Sequence, residues 1–173
     1  MNQIGSGSSS LVTFYVGACK FGIPIISIKE VQRLLDITPV AGAHPFFQGL
    51  ANLRGKIITV VDVGYCFDIP AEEENTQRKL LILKTNQELR RLNLQQTGLN
   101  EESSGAADNV AILVSRVSET IEFRAEELKP VPVNFDKSFQ SLLRGVVEDG
   151  DELMFVLDMN ALFAKMIEYC ESN

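Results

Sequence analysis

The stretch GLANLRGKIITVVDV, residues 49–63, decides how the rest of the chain is interpreted. It contains a turn signal, NLRG at 52–55, in which a glycine follows an arginine, and glycine reaches left-handed backbone conformations without steric cost. The run at 57–61 is β-branched throughout, which favours a pleated strand and disfavours a helix. The stretch therefore predicts a tight turn that leads into a buried strand.

An internal repeat extends outward from this stretch. The triplet LRG at 53–55 returns at 143–145, a shift of 90 residues (144 − 54), and each copy leads into a strand that ends in an aspartate, Asp62 or Asp158. Upstream, IKEV at 28–31 has a counterpart in VSET at 117–120, a shift of 89 residues (117 − 28). Three similarities in one order predict two similar all-β halves of about five strands each, roughly 11–75 and 76–157. Units this small are expected to share a hydrophobic interface.

Local patterns place the remaining elements. A Gly/Ser-rich start predicts a flexible tail over 1–10, and residues 45–49 could hold one helical turn closed by Gly49. The polar stretch 86–109 predicts a long excursion with a helical turn or two near 87–94, followed by disorder. Further strands are predicted at 11–16, 21–28, 78–84, 110–114, 117–123 and 153–157.

The end of the chain, 158–173, predicts an α-helix. Asp158 is a suitable N-terminal cap, and apolar residues follow at three- and four-residue spacing. One helix face is therefore expected to dock on the β body, and a helix that binds a partner is the alternative. That face would consist of Met159, Leu162, Phe163, Met166, Ile167 and Cys170.

Composition excludes several classes of protein. A formal net charge of −7 and a pI near 4.8 argue against nucleic-acid binding, which needs concentrated basic residues. No stretch has the roughly 18 uninterrupted apolar residues of a transmembrane helix, so no direct membrane insertion is expected. The three cysteines are widely separated and predict reduced, packing side chains in a cytoplasmic protein. After these exclusions, we expect an acidic protein whose partners are other proteins.

Groups able to carry out chemistry are scarce. His44 is the only histidine and lies beside a proline without a neighbouring nucleophile, so a surface or packing role is expected. Asp62 and Asp158 occupy equivalent strand ends, which favours capping or turn closure. Phosphate-binding and metal-binding motifs are missing, so no catalytic residue, cofactor or metal is predicted. A binding module is favoured over an enzyme, and a small-ligand-binding β-barrel stays open as an alternative.

Because of the NLRG turn, the VVDV strand end and the repeat, the chain resembles the CheW family, the coupling proteins of bacterial chemotaxis. The resemblance runs from about residue 11 to 163. It rests on FGI at 21–23, IKEV at 28–31, the run 49–62, AILVSRV at 111–117 and LRGV at 143–146. It implies two tandem SH3-like five-stranded β-barrels packed side by side, followed by the C-terminal α-helix.

The resemblance also implies a function and partners. It implies a non-enzymatic cytoplasmic adaptor that joins the cytoplasmic tip of a chemoreceptor to the regulatory domain of a CheA-type histidine kinase, with possible ring or array assembly. In the family the receptor hairpin lies in the groove between the barrels. A regulatory CheW-like domain of a larger two-component protein is the nearer alternative.

Particular residues match family positions implicated in coupling. These are Ile28, Glu30, Gly49 and Arg54, with Leu53 in the same turn, whereas Val114 and Val117 would be offered to the kinase. The residues themselves leave plainer alternatives open. Ile28 fits a core position, Glu30 a solvated strand charge and Gly49 a backbone requirement. Arg54 could instead be a structural residue that stabilises its own turn by donating hydrogen bonds to backbone carbonyls.

Two departures from the family pattern stand out. Ser115 occupies a position where the family usually has aspartate, which argues against a role for a carboxylate there. The excursion 86–109 is longer than the usual tight turn, and over a barrel end it could block a kinase contact or supply a new one. Such a variant fits a dedicated pathway controlling pili and surface motility as well as flagellar chemotaxis.

Overall fold

The computed structural model describes residues 8–70, 76–92 and 108–172. As predicted, the chain is mostly β and ends in an α-helix. The strands are β1 (Ser8–Val16), β2 (Cys19–Pro24), β3 (Ile28–Arg33), β4 (Ile37–Thr38), β5 (Phe47–Leu53), β6 (Lys56–Val61), β7 (Lys79–Leu83), β8 (Val110–Val114), β9 (Arg116–Arg124), β10 (Leu143–Asp149) and β11 (Glu152–Leu157). The α-helices are α1 (Asn86–Arg91), α2 (Lys137–Ser141) and α3 (Met159–Glu171), and 3₁₀ turns span Ile25–Ser27, Val63–Phe67 and Ala125–Glu127.

The strands form two sheets with corresponding orders. Sheet 1 runs β3-β7-β8-β6-β5-β4 and sheet 2 runs β9-β1-β2-β11-β10. Each contains one parallel pairing, β6 with β8 in sheet 1 and β11 with β2 in sheet 2. The counterpart of the short strand β4 in sheet 2 is a single bridge between Lys129 and Val146.

The sheets do not follow the two halves of the sequence. Hairpin β1–β2 belongs to sheet 2, whereas the equivalent hairpin β7–β8 belongs to sheet 1. Each sheet therefore combines strands from both halves, rather than one five-stranded unit from each half. The exchange ties together two units that would each bury little surface alone.

The structure aligns the two repeats at a different spacing from the one predicted. LRG at 53–55 spans the turn between β5 and β6, whereas LRG at 143–145 begins β10, so the two triplets are not equivalent. The true counterparts are Gly49 and Gly145, each beside a register shift in its strand, at a spacing of 96 residues (145 − 49).

A second pair of contacts has the same spacing of 96 residues (158 − 62). The Asp62 amide donates to the Phe46 carbonyl at 2.9 Å, and the Asp158 amide donates to the Leu142 carbonyl at 2.9 Å. Both aspartates also cap the helical segment that begins one residue later, as predicted, because Asp62 accepts from the Gly64 amide at 2.8 Å and Asp158 from the Ala161 amide at 3.0 Å.

Among the described residues, three hydrophobic clusters result from the alternation of side chains along the strands. One lies inside sheet 1 and includes Val60 and Leu80, and another lies inside sheet 2 and includes Val147 and Met154. The largest joins residues of both sheets and is called the interface core here. It includes Phe14, Phe21, Phe46, Val61, Leu81, Ile112, Phe155 and Leu157. The predicted shared interface is therefore confirmed.

Some local predictions were wrong at element boundaries. Strand β1 begins at Ser8, because β9 is long enough to pair with the backbone of 8–10. The strand predicted at 21–28 ends at Pro24, which has no N–H for a ladder, and a 3₁₀ turn separates it from β3. The helical turn predicted at 45–49 is instead a turn leading into β5, since pairing with β6 outweighs the local signal.

The excursion begins as predicted with a helix, α1. Thr85 caps it through the Glu88 amide, and the Glu88 carboxylate accepts from the Thr85 amide at 2.8 Å. Lys29 of β3 contacts Glu88, which holds the pKa of this carboxyl below its usual range. The predicted disorder further along falls on 93–107, outside the described residues, as do most of the predicted tail and the acidic connection near 72–75.

Helix α3 docks with a face slightly different from the predicted one. Met159, Leu162, Phe163 and Met166 join the interface core as expected. Ile167 and Cys170 are exposed, and Tyr169 packs instead. The shift follows from the stacking of Tyr169 on His44, a contact that helical spacing alone does not predict. Within the described residues, no helix is long and apolar enough to cross a membrane.

Candidate partner-binding site

The tip of hairpin β5–β6 is a two-residue turn. Arg54 and Gly55 both have positive φ values, 53° and 82°, and the Gly55 amide donates to Asn52 Oδ1 at 2.8 Å. Positive φ at both central positions is the signature of a type I′ hairpin turn. Arginine lacks the freedom of glycine in this region, so its presence costs roughly 1–2 kcal/mol. The predicted turn is therefore confirmed, with local strain at Arg54.

Arg54 reaches from this tip to β3. Its Nη2 lies 2.9 Å from Glu30 Oε2, and 71% of the Arg54 side chain remains exposed. In sheet 1, β3 and β6 are three positions apart, roughly 14 Å at the usual strand spacing, so the contact indicates that the sheet curls. Sequence reasoning expected Arg54 to bind backbone carbonyls if structural, whereas the structure gives it a carboxylate partner.

Gly49 is buried in β5 with φ 140°. A Cβ built on it would lie 2.2 Å from the Thr38 carbonyl oxygen, closer than atoms can approach. The close approach of β4 therefore demands glycine here, as the plainer alternative held. Gly145 has the same feature, with a built Cβ 2.5 Å from the Lys129 carbonyl oxygen.

The remaining candidates differ in accessibility. Leu53 is half-buried against the interior of sheet 1, whereas Ile28 and Val117 are half-buried against the interface core. Val114 is only 1% exposed. The prediction that Val114 offers surface to a partner is therefore wrong, because β8 is central in sheet 1 and its side chains are covered on both faces.

Ser115 follows β8 and has an internal role. Its Oγ accepts a hydrogen bond from the Gly17 amide at 2.9 Å, and its own amide donates to the Tyr15 carbonyl at 2.8 Å. The residue is buried. The hydroxyl at this position therefore joins the end of β8 to the β1–β2 turn rather than facing a partner.

An apolar groove of about 470 Å³ runs beside Gly49 and is called the Gly49 groove here. Gly49, Leu50 and Thr59 form its floor, the loop 40–43 forms one wall, and Tyr169 and Cys170 of α3 form the other. The groove thus lies at one end of the same hairpin whose tip carries Arg54. The family resemblance implied a groove between the barrels, and nothing in the sequence identified α3 as one of its walls.

An aromatic cluster holds the second wall in place. The His44 ring stacks on Tyr169 with centroids 3.9 Å apart, and Tyr65 meets His44 edge-on at 5.0 Å. Burial raises the pKa of Tyr169 to about 12 and that of the neighbouring Cys66 thiol to about 11. Both therefore stay protonated near neutral pH. Of the surface or packing role expected for His44, the packing alternative is confirmed, but the sequence did not indicate its partner.

A second charged cluster lies in sheet 2. The buried Lys20 donates to Asp149 Oδ2 at 2.7 Å, with Glu119 at 3.7 Å and Glu152 at 3.8 Å. The hydrogen bond to Asp149 raises the pKa of Lys20. Glu119 is the repeat counterpart of Glu30, so each sheet places a cation near this position. Sequence analysis missed the cluster because its members are far apart along the chain.

Comparison with known proteins agrees with this architecture. Residues 10–166 match the model of the CheW-like domain family. The chain is 26% identical over 154 residues to the chemotaxis protein CheW of Treponema pallidum, covering 89% of this chain and 81% of that protein. It is 20% identical over 163 residues to the chemotaxis protein CheW of Bacillus subtilis, covering 94% and 91%.

A solved structure shares the fold. The scaffolding protein TtCheW from Thermoanaerobacter tengcongensis superposes with a TM-score of 0.69, covering 90% of this chain and 92% of that one at 21% identity. The predicted pair of SH3-like barrels with a C-terminal helix is therefore confirmed as the fold class.

Proposed function

The chain belongs to the CheW-like domain family, and on that premise we propose that it is a non-enzymatic adaptor coupling a chemoreceptor to a CheA-type histidine kinase. The observation that carries the proposal is the exposed Arg54 at the tip of hairpin β5–β6, where Glu30 of β3 binds its guanidinium. The Gly49 groove lies at the other end of this hairpin. A strained residue that remains largely exposed suits a contact function better than a stabilising one.

The proposed partner surface combines charge and apolar area. Ile28, Glu30, Leu53 and Arg54 lie around the hairpin tip and the start of β3, and they would contact the kinase regulatory domain. The groove beside Gly49 would take a helix of the receptor tip in the helix-in-groove mode. Val117 would add to the kinase contact from the start of β9. Val114 supports this surface from within the core and is not part of it.

The proposed mechanism is bridging. Binding both partners at once raises their effective concentration and fixes their relative orientation. The adaptor would then work in the cytoplasm beside membrane-bound receptors, and rings or arrays would follow if each adaptor contacts more than one kinase. The sparse chemical groups of the sequence and the adaptor character of the family both favour a role without catalysis.

Co-precipitation tests the proposal directly. The full chain is mixed with a CheA-type kinase regulatory domain and a soluble receptor signalling fragment, and a ternary complex is expected. A chain that binds the kinase domain but never a receptor fragment would instead favour the regulatory-domain alternative. Failure to bind either partner would overturn the proposed function.

The excursion offers a test of the pathway. We propose that it adapts the protein to a dedicated pathway, such as one controlling pilus-based motility, because the stretch 86–109 is longer than the tight turn usual in the family. The contact between Lys29 and Glu88 joins α1, at the start of this stretch, to β3. Deleting 87–108 should then change kinase binding or pathway output. Unchanged binding and output would remove the basis for a specialised role and leave general chemotaxis.

A further inference from the structure

Two neighbouring residues at the start of β3 bind two different elements of the chain. Lys29 contacts Glu88 of α1, and Glu30 binds Arg54 at the tip of hairpin β5–β6. The pairing of β3 with β7 shifts register between Ile28 and Glu30, so Lys29 is the extra residue of a β-bulge. A bulge re-aims the side chains beside it, which allows neighbouring residues to reach different partners. Helix α1 and the hairpin tip therefore flank one short segment of the chain.

Several contacts hold α1 in one place. Just before the helix, the Lys84 amide donates to the Ser27 carbonyl at 2.9 Å, and Lys84 Nζ donates to the Ile26 carbonyl at 3.0 Å. Thr85 caps the first turn, and Leu89 is buried. Together with the ion pair to β3, these contacts fix the position of a helix that is too short to be stable alone. The exposed side chains of α1 are therefore preorganised.

The last turn of α1 presents two arginines to solvent. Arg90 and Arg91 are both exposed. Among residues 8–70, 76–92 and 108–172, no carboxylate forms an ion pair with either side chain. These arginines and the two ion pairs at the start of β3 are called the α1 surface here. It consists of Lys29, Glu30, Arg54, Glu88, Arg90 and Arg91.

The α1 surface is positive on an acidic protein. Its four cations and two carboxylates give a net charge of +2 (4 − 2), whereas the whole chain carries −7. Both carboxylates are already bound, so Arg90 and Arg91 carry the surplus charge. A guanidinium offers a planar set of donors that fits a carboxylate bidentately. The surface therefore favours an acidic partner and repels a basic one.

The α1 surface is continuous with the surface proposed above for the kinase regulatory domain, because Lys29 lies between Ile28 and Glu30. Helix α1 does not cover that surface, since 71% of the Arg54 side chain stays exposed beside it. Of the two effects considered for the excursion, blocking a kinase contact or supplying a new one, this arrangement favours the second.

We propose that Arg90 and Arg91 make an additional contact with the kinase regulatory domain by binding carboxylates of an acidic segment on that domain. The identity of the partner rests on the proposed function, whereas its acidic character rests on the charge of the α1 surface. Lys29 and Glu88 are positioning residues in this contact, because they fix the helix that carries the arginines. The contact would make the chain selective for kinases with acidic residues opposite α1.

A double charge reversal tests the contact. The full chain carrying Arg90→Glu and Arg91→Glu is compared with the full chain carrying Lys137→Glu and Arg144→Glu, which changes the net charge equally at exposed residues of α2 and β10. Each is titrated with the CheA-type regulatory domain of the same organism at about 50 mM and about 300 mM NaCl. At low salt the first variant should bind at least about fivefold more weakly than wild type and the control within about twofold. At high salt the difference should shrink, because salt screens exposed charges.

A conservative variant separates charge from packing. Arg90→Lys with Arg91→Lys keeps the charge and should bind within about threefold of wild type, and urea unfolding checks that every variant is folded. A loss as large as that of the glutamate variant would indicate packing and overturn the inference. Equal binding by the glutamate variant and its control, or tighter binding by the glutamate variant, would also overturn it and leave the adaptor function standing.

Two further outcomes are distinguishable. A glutamate variant with altered self-association in sedimentation and unchanged kinase affinity would assign the α1 surface to a second copy of the chain, which overturns the inference. Failure of the wild-type chain to bind the kinase domain would instead overturn the proposed function, on which the identity of the partner rests.

Discussion

Arg54 Nη2 lies 2.9 Å from Glu30 Oε2, which joins a hairpin tip to a strand three positions away in the same sheet. Because Arg54 is largely exposed, the pair is worth only about 0.2–1 kcal/mol to stability. Its value for function would then lie in fixing where the guanidinium points.

Reversing the charge at Arg54 should separate its contribution to stability from its contribution to partner binding. Arg54→Glu should weaken binding of the kinase regulatory domain at least tenfold while the free energy of unfolding changes by no more than about 1 kcal/mol. Pull-down titration and urea unfolding measure the two quantities. Arg144→Glu is the matched control, an exposed arginine in β10 away from the hairpin tip. Full binding by Arg54→Glu would remove Arg54 from the site.

The left-handed backbone at Arg54 makes a prediction about stability. Arg54→Ala and Arg54→Gly both remove the ion pair, but only glycine relieves the positive φ of 53°. Arg54→Gly should therefore be more stable than Arg54→Ala by about 1 kcal/mol in urea unfolding. Equal stabilities would contradict a strained turn in solution.

Gly49 and Gly145 should respond alike to a methyl group. Alanine at either position would bring its Cβ within 2.5 Å of a carbonyl oxygen, so each variant should lose more than about 1 kcal/mol of unfolding free energy. Only Gly49→Ala is expected to weaken receptor binding further, once the folded fraction is accounted for. An alanine variant as stable as wild type would contradict the close approach of β4 to β5.

Asp62 should make stability depend on pH. Burial raises the pKa of its carboxyl despite the hydrogen bond from the Gly64 amide. The folded state therefore binds the proton more tightly than the unfolded state, and this stabilisation is lost as pH rises from about 4 through the raised pKa.

Asp62→Asn removes this titration and keeps the cap, since an amide oxygen can accept the same hydrogen bond. Its stability relative to wild type should rise between about pH 4 and pH 7, measured by urea unfolding at each pH. Asp62→Ala, which loses the cap, should be less stable than Asp62→Asn by about 1 kcal/mol. A constant difference between Asp62→Asn and wild type across this range would contradict the raised pKa.

Local sequence predicted much of the chain. The β-branched run at 57–61, the capping aspartates and the apolar spacing of the last helix each act within a few residues, so they could be interpreted without the fold. The turn at 52–55 was also predictable, because backbone freedom at a glycine depends only on neighbouring atoms. The resemblance supplied the fold class and the site candidates.

Tertiary structure decided how these parts combine. The exchange of hairpins between sheets, the carboxylate partner of Arg54, the burial of Val114 and the stacking of His44 on Tyr169 all join residues distant in sequence. The recurrence of LRG at 53–55 and 143–145 led to a wrong alignment of the two repeats, because a triplet can recur by chance. The backbone hydrogen bonds of Asp62 and Asp158 give the correct alignment. Local propensity determined which segments are strands. Only long-range pairing and burial determined which face of each strand meets solvent, and therefore what a partner can contact.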